Sequence, residues 1–277
     1  MTALTTAPAT APAPPSAWGI GRARIGLELR LFTRDPGQVI FSFAYPVVML
    51  VIFGSIFGDQ EAAPGVGFRE YFLAGIAATG IMLTSFQAVG TAIAEERDRG
   101  DLARLQTLGT PPLAYGLGKA GQVVLTTVLQ LALLLAVAAL AYDVPLPTDA
   151  GRWITFAWVA VLGILAGTVL GIAVSSFVGS ARAAGAGIPA FAVVLQFFSG
   201  VFIVFSQLPE WMQQVAALFP LKWMTQGMRS VFLPEAAAAA EPAGSWEHGT
   251  TAAVLAAWVI IGTVLAARTF RWRRNAG

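Results

Sequence analysis

The chain has 277 residues, of which 56% are hydrophobic and only 12% charged. Ordinary soluble domains carry roughly 25% charged residues, so the composition is that of a membrane protein. Cysteine is absent, which excludes a disulfide framework, a thiolate nucleophile and a sulfur-ligated metal, and a formal net charge of +2 is too small for a nucleic-acid surface.

Residues 1–17 open with the uncharged Ala/Thr/Pro-rich run MTALTTAPATAPAPPS, which has neither the basic nor the apolar region of a signal peptide and is expected to be a disordered tail. Residues 18–36 have helical spacing. Trp18, Ile25, Leu29 and Phe32 share one face, Ile20, Leu27 and Leu31 form a second apolar stripe, and Asp35 with Pro36 ends the segment. It is expected to lie as an interfacial amphipathic helix in the headgroup layer, with packing against another helix as the alternative.

A helix crossing about 30 Å of hydrocarbon needs on the order of 20 apolar residues. Six stretches qualify, at about 38–58, 71–94, 120–142, 153–178, 183–205 and 250–267, and none contains Asp, Glu, Lys, Arg or His. Each such residue costs about 2.5–3.5 kcal/mol at mid-membrane, so their absence is itself a signal. The fold class is therefore expected to be all-α, a polytopic membrane protein with six transmembrane helices. With the N-terminus inside, 13 of the 17 Lys and Arg fall on the cytoplasmic side, leaving Arg69, Arg152, Lys222 and Arg229 outside. The positive-inside rule then places both termini, and a basic tail at 269–277, in the cytoplasm.

Along the chain, span 2 offers Thr84, Ser85, Phe86 and Gln87, and span 5 offers Gln196, Phe197, Phe198, Ser199 and Phe202, as apolar and polar groups for a substrate path or for ordinary interhelical packing. Gly163, Gly167 and Gly171 recur every four residues in span 4, the small-residue pattern of close helix packing within a subunit or across a dimer. Trp153, Trp211, Trp223 and Trp246 fall near span ends or in the outer loop, as interfacial aromatics do. That loop, 206–249, holds two short amphipathic stretches divided at Pro220, expected as re-entrant or interfacial helices, and then a linker around the alanines 236–240. His248, the single histidine, is expected to be solvated, and no metal site is expected.

Between spans 2 and 3 runs AIAEERDRGDLARLQTLGTPPLAYGLGK, residues 92–119, with eight charged residues. Glu95 to Arg104 is expected to continue span 2 out of the membrane, Gly100 loosening it. Leu102, Leu105 and Leu108 then repeat every three residues before Pro111 and Pro112. Such a leucine-edged helix over about 95–110 suits docking on a soluble partner, and a solvated positive-inside loop is the alternative.

The pattern of Glu96, Gly100, Leu102, Leu105 and Pro111, followed by Gly118 and Lys119, resembles the loop after the second span in ABC-type-2 exporter permeases. Leu208, Pro209, Trp211, Pro220 and Arg229 are similar to the outer segment of that family, and its drug-resistance subgroup, the daunorubicin-resistance type, is the nearest in pattern. Asp101 stands where threonine is usual and Arg104 where an acidic residue is usual. The resemblance covers nearly the whole chain and implies a transmembrane domain at 37–268 in the bacterial cytoplasmic membrane. It also implies a coupling helix that contacts an ATPase, with Glu96, Gly100, Asp101, Leu102, Leu105 and Pro111 as the coupling residues. Two cytoplasmic ABC ATPase subunits binding ATP and Mg, and a second permease copy or paralogue, complete the implied transporter, which exports a hydrophobic drug, lipid or natural product. Membrane lipids are the remaining partners, no nucleic acid is expected, and this chain carries no cofactor of its own.

A phosphate-binding GxxxxGK[ST] loop is absent, because the Gly118 and Lys119 pair is followed by Ala120 and Leu113 stands at the first glycine position. The chain is thus expected not to be an enzyme. A secondary transporter or channel normally needs an intramembrane carboxylate or a polar pore helix, and a lipid-modifying enzyme needs clustered polar side chains at a membrane face. Neither is visible in the sequence.

Overall fold

A computed structural model describes residues 16–63 and 65–272. The predicted tail lies outside those residues apart from its last two, as do Arg273 and Arg274 of the basic tail. The chain runs through α1 (Ala17–Arg34), α2 (Pro36–Ile56), a small antiparallel pair β1 (Glu61–Ala63) and β2 (Val66–Gly67), then α3 (Phe68–Met82). A π-helical segment, Leu83–Gln87, joins α3 to α4 (Ala88–Asp98). After these come α5 (Asp101–Thr107), α6 (Pro112–Tyr142), α7 (Ala150–Ser175), α8 (Ala181–Phe198), α9 (Glu210–Ala217), α10 (Pro220–Phe232) and α11 (His248–Thr269). Among the described residues six helices are long and apolar enough to cross a membrane: α2, the continuous stretch Phe68–Asp98, α6, α7, α8 and α11.

Local chemistry sets several helix ends. Asp35 accepts from the Gln38 N–H at 3.0 Å with Pro36 in the first turn, Asp149 caps α7 through the Arg152 N–H, and Ser180 caps α8 through the Ala183 N–H. Two boundaries differ from expectation by more than four residues. The third spanning helix starts at Pro112, eight residues before position 120, because Pro112 is an ideal first helical residue and nothing breaks the turns after it. The fifth ends at Phe198 rather than 205, because Gly200 takes a left-handed φ of +71° and turns the chain.

The Phe68–Asp98 helix forms the centre of the bundle, and every residue of α3 from Tyr71 to Met82 is buried. Phe53 and Phe72 stack at 4.9 Å on its α2 side, and Phe202 joins them. On the α7 side the glycine stripe packs inside the chain. A Cβ on Gly171 would meet the Phe86 carbonyl at 2.7 Å, one on Gly163 would meet Met224 at 2.8 Å, and Gly167 lies against Ser85. Only a side chain of one hydrogen lets α7 approach the π-helical segment so closely.

The loop between the fifth and sixth spanning helices turns back into the bundle. Trp258 lies ten residues into α11, about 15 Å from its start at 1.5 Å per residue, yet its indole donates to the Leu218 carbonyl at 2.9 Å. From that depth α10 returns with its residues from Leu221 to Phe232 all buried, against α3, α7 and α11. The sequence suggested a helix dipping into lipid. Its charges are instead absorbed by the protein, since Arg229 forms a two-pronged pair with Glu241 at 2.6 and 3.0 Å. His248 opens α11, and its Nε2 lies 2.9 Å from the Ser230 hydroxyl.

The α1 helix packs against the start of α6 and buries Gly21, Arg24, Glu28 and Phe32. That face shares Phe32 and the half-buried Ile25 and Leu29 with the first predicted stripe and adds a charged pair. Trp18, Leu27 and Leu31 point away from the bundle, because the charged pair Arg24 and Glu28 has partners on α6.

Candidate coupling site

The span 2 helix stops at Asp98 and does not continue through the charged loop, which corrects the expected rigid extension. Gly100 adopts φ +83°, a conformation that costs non-glycine residues about 1–2 kcal/mol, and α5 starts beyond it as a separate helix. A second left-handed glycine, Gly109 at φ +70°, ends the α5 excursion, and Pro111, in extended geometry, leads into α6. Asp101 sits exposed at the first position of α5, where its carboxylate accepts from Arg99 Nε at 3.0 Å.

The leucine edge faces the other way from that expected for a docking surface. Leu102 is 0% exposed and Leu105 is half-buried against the same core, so both anchor α5 to the bundle rather than reach outward. Burying a leucine fully stabilises by roughly 1.5–3 kcal/mol, enough to hold a two-turn helix that would not form alone. The apolar groups offered outward are Leu108, 70% exposed at the end of α5, and Leu113, 65% exposed in the first turn of α6. Arg104, Gln106 and Thr107, which precede Leu108 on α5, are exposed as well.

The last three charged residues of span 2 before Arg99 each bind a different part of the bundle. Glu96 accepts from Lys119 Nζ and from the Tyr115 hydroxyl at 2.7 Å, both on α6. Arg97 donates to the Ser175 carbonyl at 2.5 Å, at the end of α7, and to the Arg271 carbonyl at 3.1 Å, beyond α11. Asp98 accepts from the Ala181 N–H at 2.6 Å and so caps the start of α8. Three consecutive side chains therefore tie span 2 to spans 3, 4, 5 and 6.

Lys119 continues the network into α1. Its ammonium lies 2.7 Å from Glu28, whose other oxygen is 2.5 Å from Arg24 Nη2, and the Arg24 guanidinium sits 5.0 Å over the Tyr115 ring. Lys119, Glu28 and Arg24 are all buried, and an uncompensated charge there would cost several kcal/mol, which is why cations and carboxylates alternate. Gly118 and Gly121 make the crossing possible, since a Cβ on Gly118 would strike Arg24 at 2.8 Å and one on Gly121 would strike Ile25 at 2.5 Å. A cleft of about 370 Å³ opens beside this network between α1, α4 and α6.

The residues considered for a substrate path do not converge on one cavity. Thr84 bonds back to the Gly80 and Ile81 carbonyls and lies 2.8 Å from the Thr127 hydroxyl, and Ser85 bonds to the Ile81 carbonyl at 2.6 Å. Such back-bonding satisfies hydroxyls inside a helix, and the π-helical turn here is of the kind that often accompanies function. Thr84 and Gln87 border a hollow of about 120 Å³ towards α2, whereas Phe86 faces the opposite side with Phe191. Gln196 is buried and accepts from the Tyr45 hydroxyl at 2.9 Å. The Ser199 carbonyl accepts from Thr225, Phe202 lies against Phe53 and Phe197, and Phe198 meets Trp211 edge-on.

Sequence reasoning missed Arg24, Glu28 and Tyr115. The spacing of Arg24 and Glu28, four apart on a helix, was a readable sign of an ion pair, but their partner lies 91 residues away from Glu28.

No curated protein matches the chain with significance. The family model described as ABC-2 type transporter matches residues 25–233, well over half of the 277. The chain thus belongs to the ABC-2 type transporter family, as the transmembrane component of an ABC transporter that works with a partner ATPase subunit.

Proposed function

We propose that this chain is the permease of an exporter that moves a hydrophobic drug, lipid or natural product out of a bacterial cell, with two ATPase subunits docked at the α5 end and two permease copies or paralogues side by side. The observation that carries this reading is the division of labour in α5. Leu102 and Leu105 hold the helix to the bundle, while Leu108 and Leu113 stand out of it beside exposed polar groups. Apolar anchors ringed by polar side chains are what a groove on a soluble partner binds.

Charge supports placing that end in the cytoplasm. At the opposite end the protein itself engages every cation: Arg69 bonds to the Gly54 carbonyl, Arg152 to the Val231 carbonyl, Arg229 to Glu241, and Lys222 lies 3.9 Å from Glu247. Arg22, Arg30, Arg34 and Arg104 are exposed at or near the α5 end, where a cytoplasmic leaflet rich in anionic lipid favours them. The trio Glu96, Arg97 and Asp98 then supplies the transmission. A push on α5 reaches span 2 across Gly100 and is shared with spans 3 to 6 through the contacts of those three residues. α1, with Trp18, Leu27 and Leu31 turned outward, lies in the cytoplasmic headgroup layer.

Because the chain has no cysteine, Leu108→Cys gives a single reactive site. Co-expressed with its partner ATPase, this variant should cross-link to that ATPase, while Ile154→Cys on the lipid side of α7 should not. Equal cross-linking at both positions, or none at Leu108→Cys, would overturn the docking assignment.

A further inference from the structure

A groove of about 490 Å³ separates α8 from the pair α7 and α11. It is lined on α7 from Gly163 to Val174, eleven steps along the helix and about 16 Å at 1.5 Å per residue, and on α11 from Trp258 to Leu265. All three helices are of membrane-crossing length, so the groove runs lengthwise at the depth of the hydrocarbon. Its lining side chains are apolar throughout, and the one with a strong donor, Trp258, already spends its indole N–H on the Leu218 carbonyl. A polar ligand would find nothing to bond to, and water is not held in a hollow of this kind.

At the α5 end of the groove stand the cations Arg182 and Arg268. Arg182 lies five residues before Gly187, the first residue of α8 in the lining, and Arg268 lies three residues beyond Leu265 on α11. Both are exposed, and neither has an ion pair or hydrogen bond among the described residues, whereas the neighbouring Asp98 carboxylate is bonded to the Ala181 N–H. An elongated apolar slot with exposed positive charge at its α5 end has the shape and polarity of a phospholipid. A second copy of the chain fits less well. Two copies share one orientation in the membrane, so a copy seated on this face would bring its own Arg182 and Arg268 to the same end.

We infer that this groove holds an acyl chain of one anionic phospholipid from the leaflet at the α5 end, with its phosphate between Arg182 and Arg268. The chain lies against Gly167 and Phe86, so it touches the π-helical segment of span 2 directly. The site is separate from the coupling network and does not depend on which substrate is exported.

The test is native mass spectrometry of the purified full-length chain in detergent, with equal amounts of phosphatidylglycerol and phosphatidylcholine of identical chains. The parent protein should retain one phosphatidylglycerol in preference to phosphatidylcholine. Each arginine near an anionic headgroup is worth about 1 kcal/mol, so Arg182→Gln with Arg268→Gln should weaken that retention roughly 30-fold and abolish the headgroup preference. Gly187→Trp should eject both lipids, since a Cβ at Gly187 meets nothing within 4 Å and the ring has the groove to fill. Melting temperatures of both variants within a few degrees of the parent show that the fold is intact. Equal retention of the two lipids by the parent overturns the proposal, and so does undiminished lipid in Gly187→Trp.

Discussion

Both ends of the bundle bury cations against carboxylates, but they do so over different distances along the chain. At the end away from α5, Arg229 and Glu241 are 12 residues apart, and Lys222 reaches Glu247 within the same excursion. At the α5 end, Lys119 lies 91 residues from Glu28 and 23 from Glu96. A local pair fixes the shape of one loop. Pairs between remote helices fix helices to one another. Buried ion pairs thus fix one loop at one end and join separate helices at the other.

The largest effect is expected where that contrast is broken outright. Lys119→Met leaves Glu28 and Glu96 facing each other without their shared cation and should destabilise by about 3–5 kcal/mol, read as thermal unfolding in detergent. Arg229→Met should cost a similar amount at the opposite end, where it strands Glu241. The ends should then separate in the paired replacements. Glu96→Gln with Lys119→Met leaves Glu28 with Arg24 and should recover most of the stability without recovering coupling, whereas Arg229→Met with Glu241→Leu should recover both.

Next in size is the contrast within α5. Leu102→Ala should cost about 2–5 kcal/mol, as for a core leucine, and Leu108→Ala should leave stability unchanged while weakening ATPase co-purification.

A smaller effect follows from Lys222. Burial lowers its ammonium from the ordinary 10.5 to about 8, against the opposing pull of Glu247. Between those values the unfolded chain holds the proton and the folded chain does not, so stability rises with pH across the window. The rise is at most about 1.4 kcal/mol per pH unit and should be absent in Lys222→Met. Smallest of all, Thr84→Val removes one hydroxyl pair with Thr127 and should cost about 0.6 kcal/mol, the average for such bonds inside membranes.

The spans were legible because hydrocarbon imposes length and composition, and the six helices fall close to the six apolar runs. Much else depended on long-range pairing, which leaves no local mark. Lys119 read as a loop cation because its carboxylates lie on α1 and α4. The polar sequence of α10 concealed a core helix because Glu241 and Glu247, the residues that neutralise it, follow in what read as linker. Leu102, Leu105 and Leu108 were visible as a repeat, but a period of three does not say which face meets the bundle. Gly100 hinted at the break, and its left-handed geometry shows that span 2 and α5 are two pieces.

The account rests on transmission from α5 through Glu96 to α6. A spin label on Asp143→Cys, at the exposed end of α6 opposite α5, reports the distance between the two permeases of the proposed transporter. Trapping the ATPase with ATP and vanadate should shift that distance in the parent and leave it fixed in Glu96→Gln with Lys119→Met, although the ATPase stays bound. An equal shift in both proteins would contradict the account.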